Sequence, residues 1–260
     1  MVENPYDIAP AGRPGPELLG RVVVRDTPEA LVDAIGADLL FQAKACVRAF
    51  GDFHLALSGG TTPQDLYRRL MYDPNYRDLP WKRTHLWMVD ERRVAFDDER
   101  SNFRMVRELI VDHSDIPGEQ VHPIFPMAEH PDVAYEQELT EALAWREPGH
   151  DRLDFVLLGL GDDGHTASLF PHSPALASEG RLVLVNDGPN VTPPARVTMT
   201  LRLINGARLV SVMVTGERKR KAVERLVAGG EGVADLPAAG LRPVGGELRW
   251  YLDSAACPEG

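Results

Sequence analysis

Short apolar runs alternate along the chain with stretches in which apolar residues recur at helical spacing. Runs rich in valine, isoleucine and leucine, bounded by glycine, proline or charged residues, predict β-strands. These strands are expected at 21–26, 53–60, 84–94, 181–187, 196–204, 207–216 and 248–253, and a further strand opens the segment 153–171. The strand at 248–253 is expected to lie at a sheet edge.

Helices are predicted between these strands, each starting at a polar cap residue or a proline. The starting pairs are Thr27-Pro28, Thr62-Pro63 and Ser101-Asn102, with Thr62 as the cap of the second helix. Gly51 is expected to end the first helix, because glycine readily adopts the left-handed conformation that closes a helix. A later helix is expected over 217–228, ended by Gly229-Gly230.

This alternation of strands and helices favours an α/β fold with a doubly wound, mostly parallel sheet and helices on both faces. The expected arrangement is a modified Rossmann-like one, and the pattern also allows a small antiparallel edge. Residues 1–20 hold four prolines and three glycines, which predicts an irregular N-terminal arm. The segment 21–260 is then expected to form a single α/β domain.

Composition and charge narrow the classes of partner. The chain has 260 residues, is 43% hydrophobic and carries a net charge of −11. An acidic chain lacks the broad positive field that binds nucleic acid or an anionic membrane. An anionic small molecule would therefore need a local positive pocket.

Cysteine content and the N-terminus favour a cytoplasmic protein. The chain has only Cys46 and Cys257, too few for a disulfide framework or a cysteine zinc site. Cys46 lies on the apolar side of the first predicted helix, where a buried thiol packs as a small hydrophobic group. The first ten residues lack the pattern of a signal peptide, and no apolar run reaches the length of a membrane span.

Three corners between a strand and the next helix hold most of the unusual residues. The first is SGGTTP, at 58–63. Its glycines allow close approach to the backbone, and the first amides of a helix have no partner within the helix. Such a corner can bind a phosphate or a carboxylate, although an ordinary tight turn has the same composition.

The second corner is DERRV, at 90–94, followed by Ser101-Asn102. Charge at the end of a buried strand is expected where the strand faces a cleft. Arg92 or Arg93 could supply the local positive charge, and the helix that starts at Ser101 could offer a second anion-binding end. The charged tail at 97–100 is interpreted as a solvated loop.

The third corner is GLGDDGHTASLFP, at 159–171. Its glycines match the dinucleotide fingerprint, but only about six residues separate Gly164 from Pro171, too few for a crossover helix. The pattern instead puts His165 in the first turn of a short helix, where the helix dipole would keep the ring neutral and able to accept a proton. Asp163 is close enough to orient the ring.

The remaining histidines show no spacing typical of metal ligands and receive no role. They are His54, His85, His113, His122, His130, His150 and His172.

In this order the three corners resemble those of the 6-phosphogluconolactonase family, over residues from about 20 to 255. GLGDDGHTASLFP is the most specific match, because generic turn chemistry does not require the run TASLFP. The segments RVTMT, VTGERK and RWYLD also look like the family's C-terminal blocks. The resemblance implies the fold shared with glucosamine-6-phosphate deaminases and ribose-5-phosphate isomerases. It also implies hydrolysis of 6-phosphoglucono-δ-lactone in the oxidative pentose phosphate pathway, without a metal or an organic cofactor.

The resemblance and the chemistry together assign hypothetical roles. His165 would act as the base that activates water, with Asp163 orienting it and Arg92 stabilising the phosphate or the developing oxyanion. The residues expected to bind the sugar phosphate are Ser58, Gly59, Gly60, Thr61, Asp90, Ser101, Asn102, Gly161 and Arg196. The expected partner is a small sugar-phosphate lactone, and the expected assembly is a monomer or a homodimer.

One segment departs from the family pattern. Members commonly have a lysine in a Lys-Pro-Pro stretch that contacts the substrate phosphate. Here the stretch reads NVTPPARVT, with Asn190 and Thr192 where that lysine is sought and Arg196 nearby. This departure therefore bears on the phosphate contacts rather than on the reaction type.

Two rival functions stay open at this point. Amino-sugar phosphate deaminases share the histidine corner but follow it with Ala-Phe-Asn-Glu-Pro, whereas this chain has Phe170 where the glutamate would stand. A non-catalytic sugar-phosphate sensor of the same fold usually carries a DNA-binding domain, for which residues 1–26 are too short and too rich in proline. Release of ammonia, or binding without hydrolysis, would favour these alternatives.

Overall fold

Two sheets organise the protein in a computed structural model that describes residues 14–144 and 146–258. The large sheet has seven strands, all parallel, in the order β1-β10-β9-β6-β2-β3-β5. The small sheet is antiparallel, in the order β4-β8-β7. The strands are Arg21–Arg25 (β1), Phe53–Leu57 (β2), Thr84–Met88 (β3), Asp90–Arg92 (β4), Val121–His122 (β5), Phe155–Gly159 (β6), Val183–Asp187 (β7), Ala195–Met199 (β8), Leu209–Val214 (β9) and Glu247–Asp253 (β10).

The helices connect these strands in the alternation that the sequence predicts. They are Pro28–Phe50 (α1), Gln64–Tyr72 (α2), Asn102–Leu109 (α3), Pro131–Leu143 (α4), Leu201–Asn205 (α5) and Arg220–Ala228 (α6). The α/β class and the parallel sheet are confirmed, and the small antiparallel element is a separate sheet rather than an edge of the large one. Of the arm predicted at 1–20, residues 14–20 carry no helix or strand and the rest lies outside the described residues.

Helix caps follow the predicted chemistry at three of four positions. Thr27 caps α1 by accepting from the Ala30 amide, and Gly51 ends it with a φ of 93°. Ser101 caps α3. Thr62 does not cap α2: Pro63 occupies the cap position without a side-chain hydrogen bond, so this prediction is wrong.

Two long predicted strands are interrupted. The run 84–94 breaks at Val89, whose amide donates to Leu57 in the large sheet and whose carbonyl accepts from Met199 in the small one. The run 196–204 breaks at Thr200, whose hydroxyl caps α5. In both cases a nonlocal pairing overrides a continuous apolar pattern.

The last strand is central rather than at an edge. β10 lies between β1 and β9, and β1 forms the edge. Trp250, Tyr251 and Leu252 are accordingly buried, and the position of β10 was not visible from its length or composition.

The core lies around the large sheet. Among its largest fully buried side chains are Phe53, Tyr67, Trp87, Phe155 and Tyr251. Cys46 is buried, as predicted, and burial raises the pKa of its thiol, which makes the thiolate scarce. No helix in the described part of the chain combines the length and the apolarity needed to cross a membrane.

Candidate active site

A cleft opens at the carboxyl ends of the strands of the large sheet, where ligands bind in open α/β folds. Its volume is about 480 Å³. Nine of the twelve residues that the sequence singled out line it: Ser58, Gly59, Gly60, Asp90, Arg92, Asn102, Gly161, Asp163 and His165.

The other three sequence candidates lie elsewhere. Thr61 lines a larger neighbouring cavity of about 1160 Å³, which shares Arg218 and Lys219 with the cleft. Ser101 and Arg196 are buried and line neither cavity. The predicted site therefore contains every selected residue of the third corner and only part of the first and second corners.

The turn after β2 requires both of its glycines. Gly60 has a φ of 89°, a conformation that other residues rarely adopt. A Cβ on Gly59 would lie 1.8 Å from Asn102 Oδ1, so only glycine lets the first and second corners meet. Two buried hydrogen bonds at Ser58 stabilise the turn: Tyr67 Oη donates to the Ser58 carbonyl (2.6 Å), and Ser58 Oγ donates to the Leu157 carbonyl (2.7 Å).

The start of α3 does not offer a free anion-binding end. The buried Glu91 carboxylate accepts from the amides of Asn102 and Phe103, both at 2.7 Å, and from Ser101 Oγ at 3.0 Å. Burial raises the pKa of Glu91, although these amide hydrogen bonds oppose the shift. The protein's own carboxylate fills the position that the sequence suggested for a ligand, so this expectation is wrong.

Two arginines lie side by side across the small sheet. Arg92 and Arg196 are partners in the register of β4 and β8. Arg196 is buried and bonded to the Pro193 carbonyl, and burial together with the charge of Arg92 lowers its pKa to about 10. Arg92 faces the cleft and donates to the neutral Arg100 carbonyl (2.6 Å), so its charge is not cancelled by that contact.

Asp90 is anchored beneath the cleft. Its Oδ2 accepts from Ser168 Oγ at 2.6 Å, and Asn102 Nδ2 donates to its carbonyl at 2.9 Å. Asp90 thus ties the second corner to the third through Ser168.

The segment after Gly164 forms turns rather than the short helix predicted for it. Thr166 and Leu169 form an isolated bridge, and Ala167 has a positive φ of 50°. The Gly161 amide donates to the His165 carbonyl (2.7 Å), which closes a tight loop. The helix dipole therefore cannot act on His165, and that part of the sequence argument is wrong.

Asp163 controls the His165 ring instead. Asp163 Oδ1 lies 2.6 Å from His165 Nδ1 and also accepts from the His165 amide at 3.0 Å. Although burial opposes it, these hydrogen bonds lower the pKa of Asp163 to about 2. An ionised carboxylate requires the proton on Nδ1, which leaves the lone pair of the neutral ring on Nε2.

The ring is accessible and closely fitted. The His165 side chain is 27% exposed, and its ring centroid lies 5.0 Å from that of Phe170. A Cβ on Gly161 would lie 2.1 Å from His165 Nδ1, so this glycine makes room for the ring. Nε2 forms no hydrogen bond to the described residues, which leaves it available to a water molecule or a substrate.

Three charged residues of the cleft were not selected from the sequence. Arg218 and Lys219 follow β9, and both pair with Asp162 in the histidine corner. The segment Thr215-Gly216 follows a buried strand and precedes charge, which is the signal that marked the other corners. That signal could have identified Lys219, whereas the pairing with Asp162 could not be read from the sequence because 57 residues separate the two.

A second polar cluster lies at the amino ends of the strands, away from the cleft. Metal-ligating atoms of Asp52, His54 and His85 lie within 4.8 Å of one another, a proximity that sequence spacing did not reveal. His54 Nδ1 accepts from Trp87 Nε1 (3.1 Å), and the indole can only donate. The proton of His54 must then sit on Nε2, directed at Asp52 (3.1 Å), which leaves His54 without a lone pair for a metal.

The same cluster continues to the surface. His122 Nδ1 lies 2.6 Å from Glu138, and His122 Nε2 lies 3.0 Å from His85 Nδ1. Burial, with the neighbouring His54 and His122, lowers the pKa of His85 to about 4. The arrangement is best interpreted as a structural network that joins β2, β3, β5 and α4.

Comparison with known proteins identifies the family of this chain. Residues 26–250 match the family model described as glucosamine-6-phosphate isomerases/6-phosphogluconolactonase. The chain belongs to this family.

Several relatives of this chain are named 6-phosphogluconolactonase. It is 42% identical to 6-phosphogluconolactonase of Synechocystis over 79% of this chain and 84% of that protein. It is 36% identical to that of Mycobacterium tuberculosis over 88% and 93%. The human GDH/6PGL endoplasmic bifunctional protein is 36% identical over 96% of this chain, which spans only 33% of that longer protein.

Solved structures superpose on this chain. The 6-phosphogluconolactonase from Trypanosoma cruzi gives a TM-score of 0.78 at 28% identity, covering 92% of this chain and 96% of the other. A monomeric glucosamine-6-phosphate deaminase gives 0.75 at 22% identity, covering 91% and 98%, and shares the fold alone.

Proposed function

We propose that this chain hydrolyses 6-phospho-D-glucono-1,5-lactone to 6-phospho-D-gluconate. The observation that carries the proposal is His165 Nε2, which is free of hydrogen bonds to the described residues while Asp163 holds Nδ1. The lactonase names of the relatives support the same reaction.

The base step follows from that geometry. His165 Nε2 takes a proton from a water molecule as the water oxygen bonds to the lactone carbonyl carbon. The imidazolium that forms is stabilised by the ionised Asp163 carboxylate at 2.6 Å. The tetrahedral intermediate carries its negative charge on the former carbonyl oxygen.

In the ring-opening step His165 acts as the acid. The bond between the carbonyl carbon and the ring oxygen breaks, and the imidazolium donates its proton to the leaving ring oxygen. The products are a carboxylic acid, ionised at neutral pH, and a free hydroxyl. The lactone is an activated ester, so one base and good positioning are chemically adequate.

The cations of the cleft are proposed to bind the negative charges of the substrate. Among the described residues that line it, these are Arg92, Arg218 and Lys219. Lys219 lines both cavities and the glycine turn at 59–60 lines the cleft, and both are assigned to the phosphate. Arg92 is assigned to the phosphate or to the developing oxyanion, whereas Arg196, its partner in the register of the small sheet, does not line the cleft.

We also propose a class of partner, a compartment and an assembly state for this chain. The net charge of −11 supports a small-molecule substrate rather than nucleic acid, and two buried free cysteines support a reducing compartment such as the cytoplasm. A monomer or a homodimer is proposed for the assembly. No step of the mechanism calls for a metal or an organic cofactor.

A coupled assay tests the proposal. Glucose 6-phosphate and its dehydrogenase generate the lactone, and 6-phosphogluconate dehydrogenase reports its opening. We expect hydrolysis far above the rate of the uncatalysed reaction, which a blank with denatured protein measures. Absence of acceleration, or release of ammonia from glucosamine 6-phosphate in a parallel assay, would contradict it.

A further inference from the structure

Asp162 pairs with two of the three cations that line the cleft among the described residues, Lys219 and Arg218. Its Oδ1 accepts from Lys219 Nζ at 2.6 Å, and its Oδ2 accepts from Arg218 Nη2 at 2.6 Å and Nε at 3.2 Å. The Arg92 guanidinium, in contrast, donates to a neutral carbonyl, that of Arg100. The hydrogen bond from Lys219 is the main cause that lowers the pKa of Asp162, so the carboxylate is ionised at neutral pH.

At this position the Asp162 carboxylate would compete with a bound phosphate for the same cations. Asp162 lines the cleft and precedes Asp163, and the chain as a whole is acidic. A phosphate monoester carries a charge near −2 at neutral pH and seeks the same donors that Asp162 holds. Since the Asp162 and Arg218 side chains are 41% and 85% exposed, their pairing is weak enough to be exchanged.

We propose that Asp162 is a competitor built into the phosphate subsite: it holds Lys219 and Arg218 in the empty cleft and yields them to the substrate phosphate. This inference rests on the proposed function for the identity of the ligand. Because the product keeps its phosphate and gains a carboxylate, recapture of the cations by Asp162 also favours product release. Asp162 is thus a residue that sets phosphate affinity, not a catalytic residue.

Calorimetric titration with 6-phosphogluconate tests the inference without turnover. Asp162→Asn removes the charge and keeps the shape, and we expect it to bind 6-phosphogluconate about three- to tenfold more tightly than the unchanged protein. Gluconate, which lacks the phosphate, should show a change of less than about twofold. Because salt screens exposed charges, the gain should shrink at high ionic strength.

A matched control removes an equivalent pair elsewhere. Asp78 pairs with Lys44 at 3.1 Å, and neither residue lines the cleft or its neighbouring cavity. Asp78→Asn should bind 6-phosphogluconate as the unchanged protein does. Asp162→Ala provides a second variant, expected to change affinity in the same direction as Asp162→Asn.

Equal or weaker binding of 6-phosphogluconate by both Asp162 variants, with folding verified by circular dichroism, would overturn the inference. Weaker binding would mean that Asp162 positions the cations for the phosphate. A gain of the same size with gluconate would equally overturn it. If the unchanged protein bound 6-phosphogluconate but did not hydrolyse the lactone, the proposed function would fail while this result still decided the inference.

Discussion

The contact between Asp163 and His165 allows a graded prediction for catalysis. Asp163→Asn replaces the carboxylate with an amide of the same shape, whose oxygen can still accept from His165 Nδ1. The change therefore removes the charge that stabilises the imidazolium and keeps the orientation of the ring. Asp163→Ala removes both.

The magnitude follows from the shifted pKa of Asp163. Its pKa falls from 3.8 to about 2, which corresponds to roughly 2.5 kcal/mol. The Asp163 side chain is 46% exposed, so solvent screening reduces this free energy to about 1–1.5 kcal/mol. Loss of that stabilisation in the transition state corresponds to a fall in kcat of about tenfold.

The coupled lactonase assay measures the series. We expect losses in kcat of about tenfold for Asp163→Asn and at least ~100-fold for His165→Asn, the residue that takes the proton. Because the two side chains act as one unit, the double variant should be no slower than His165→Asn alone. A loss below tenfold for His165→Asn, or losses that multiply in the double variant, would refute the assignment of these roles.

Four further predictions follow from other contacts. Burial of neutral His85 holds its pKa near 4, so the unfolded chain binds an extra proton as the pH falls from 6.5 to 4. The free energy of unfolding should therefore fall by up to about 3 kcal/mol over this range. His85→Asn should reduce the pH dependence of the melting temperature over this range, whereas His130→Asn, at an exposed position, should not. If Arg92 binds the phosphate, Arg92→Gln should raise KM for the phosphorylated lactone and leave the kinetics with gluconolactone unchanged. If Arg92 stabilises the oxyanion, the variant should lower kcat for both lactones. No change with either substrate would remove Arg92 from the site. Gly59→Ala should cost about tenfold or more in kcat/KM, because its Cβ would displace Asn102, and wild-type kinetics would contradict this. Dialysis against a chelator should leave turnover within about twofold, since the proposed base is a side chain, and a loss restored by added metal would show the mechanism incomplete.

Local chemistry explains the features of the fold that could be predicted from the sequence. Thr27 and Gly51 bound α1 because capping depends on a few neighbouring residues. The glycine corners after β2 and β6 were identified for the same reason, and they meet in one cleft because carboxyl ends of parallel strands share one edge of the sheet.

Nonlocal pairing explains most of what could not be predicted. Glu91 fills the end of α3 through a contact that depends on how the chain returns, so an apparently free helix end was misread. The segment after Gly164 has a helix-like composition, but the Gly161 amide bonds to the His165 carbonyl and closes a loop. The pairing of Lys219 with Asp162 could not be read from the sequence, because 57 residues separate the two.

The double hydrogen bonding of Val89 has a consequence for how the cleft can diversify. This residue joins the backbones of the two sheets immediately before Asp90, which lines the cleft, so main-chain hydrogen bonds fix where the small sheet meets the large one. Side-chain replacement inside the cleft can then change which ligand fits while the scaffold keeps its dimensions. Engineering toward other ligands should accordingly begin with Asn190, Val191 and Ala167, which line the cleft, and leave the framework intact.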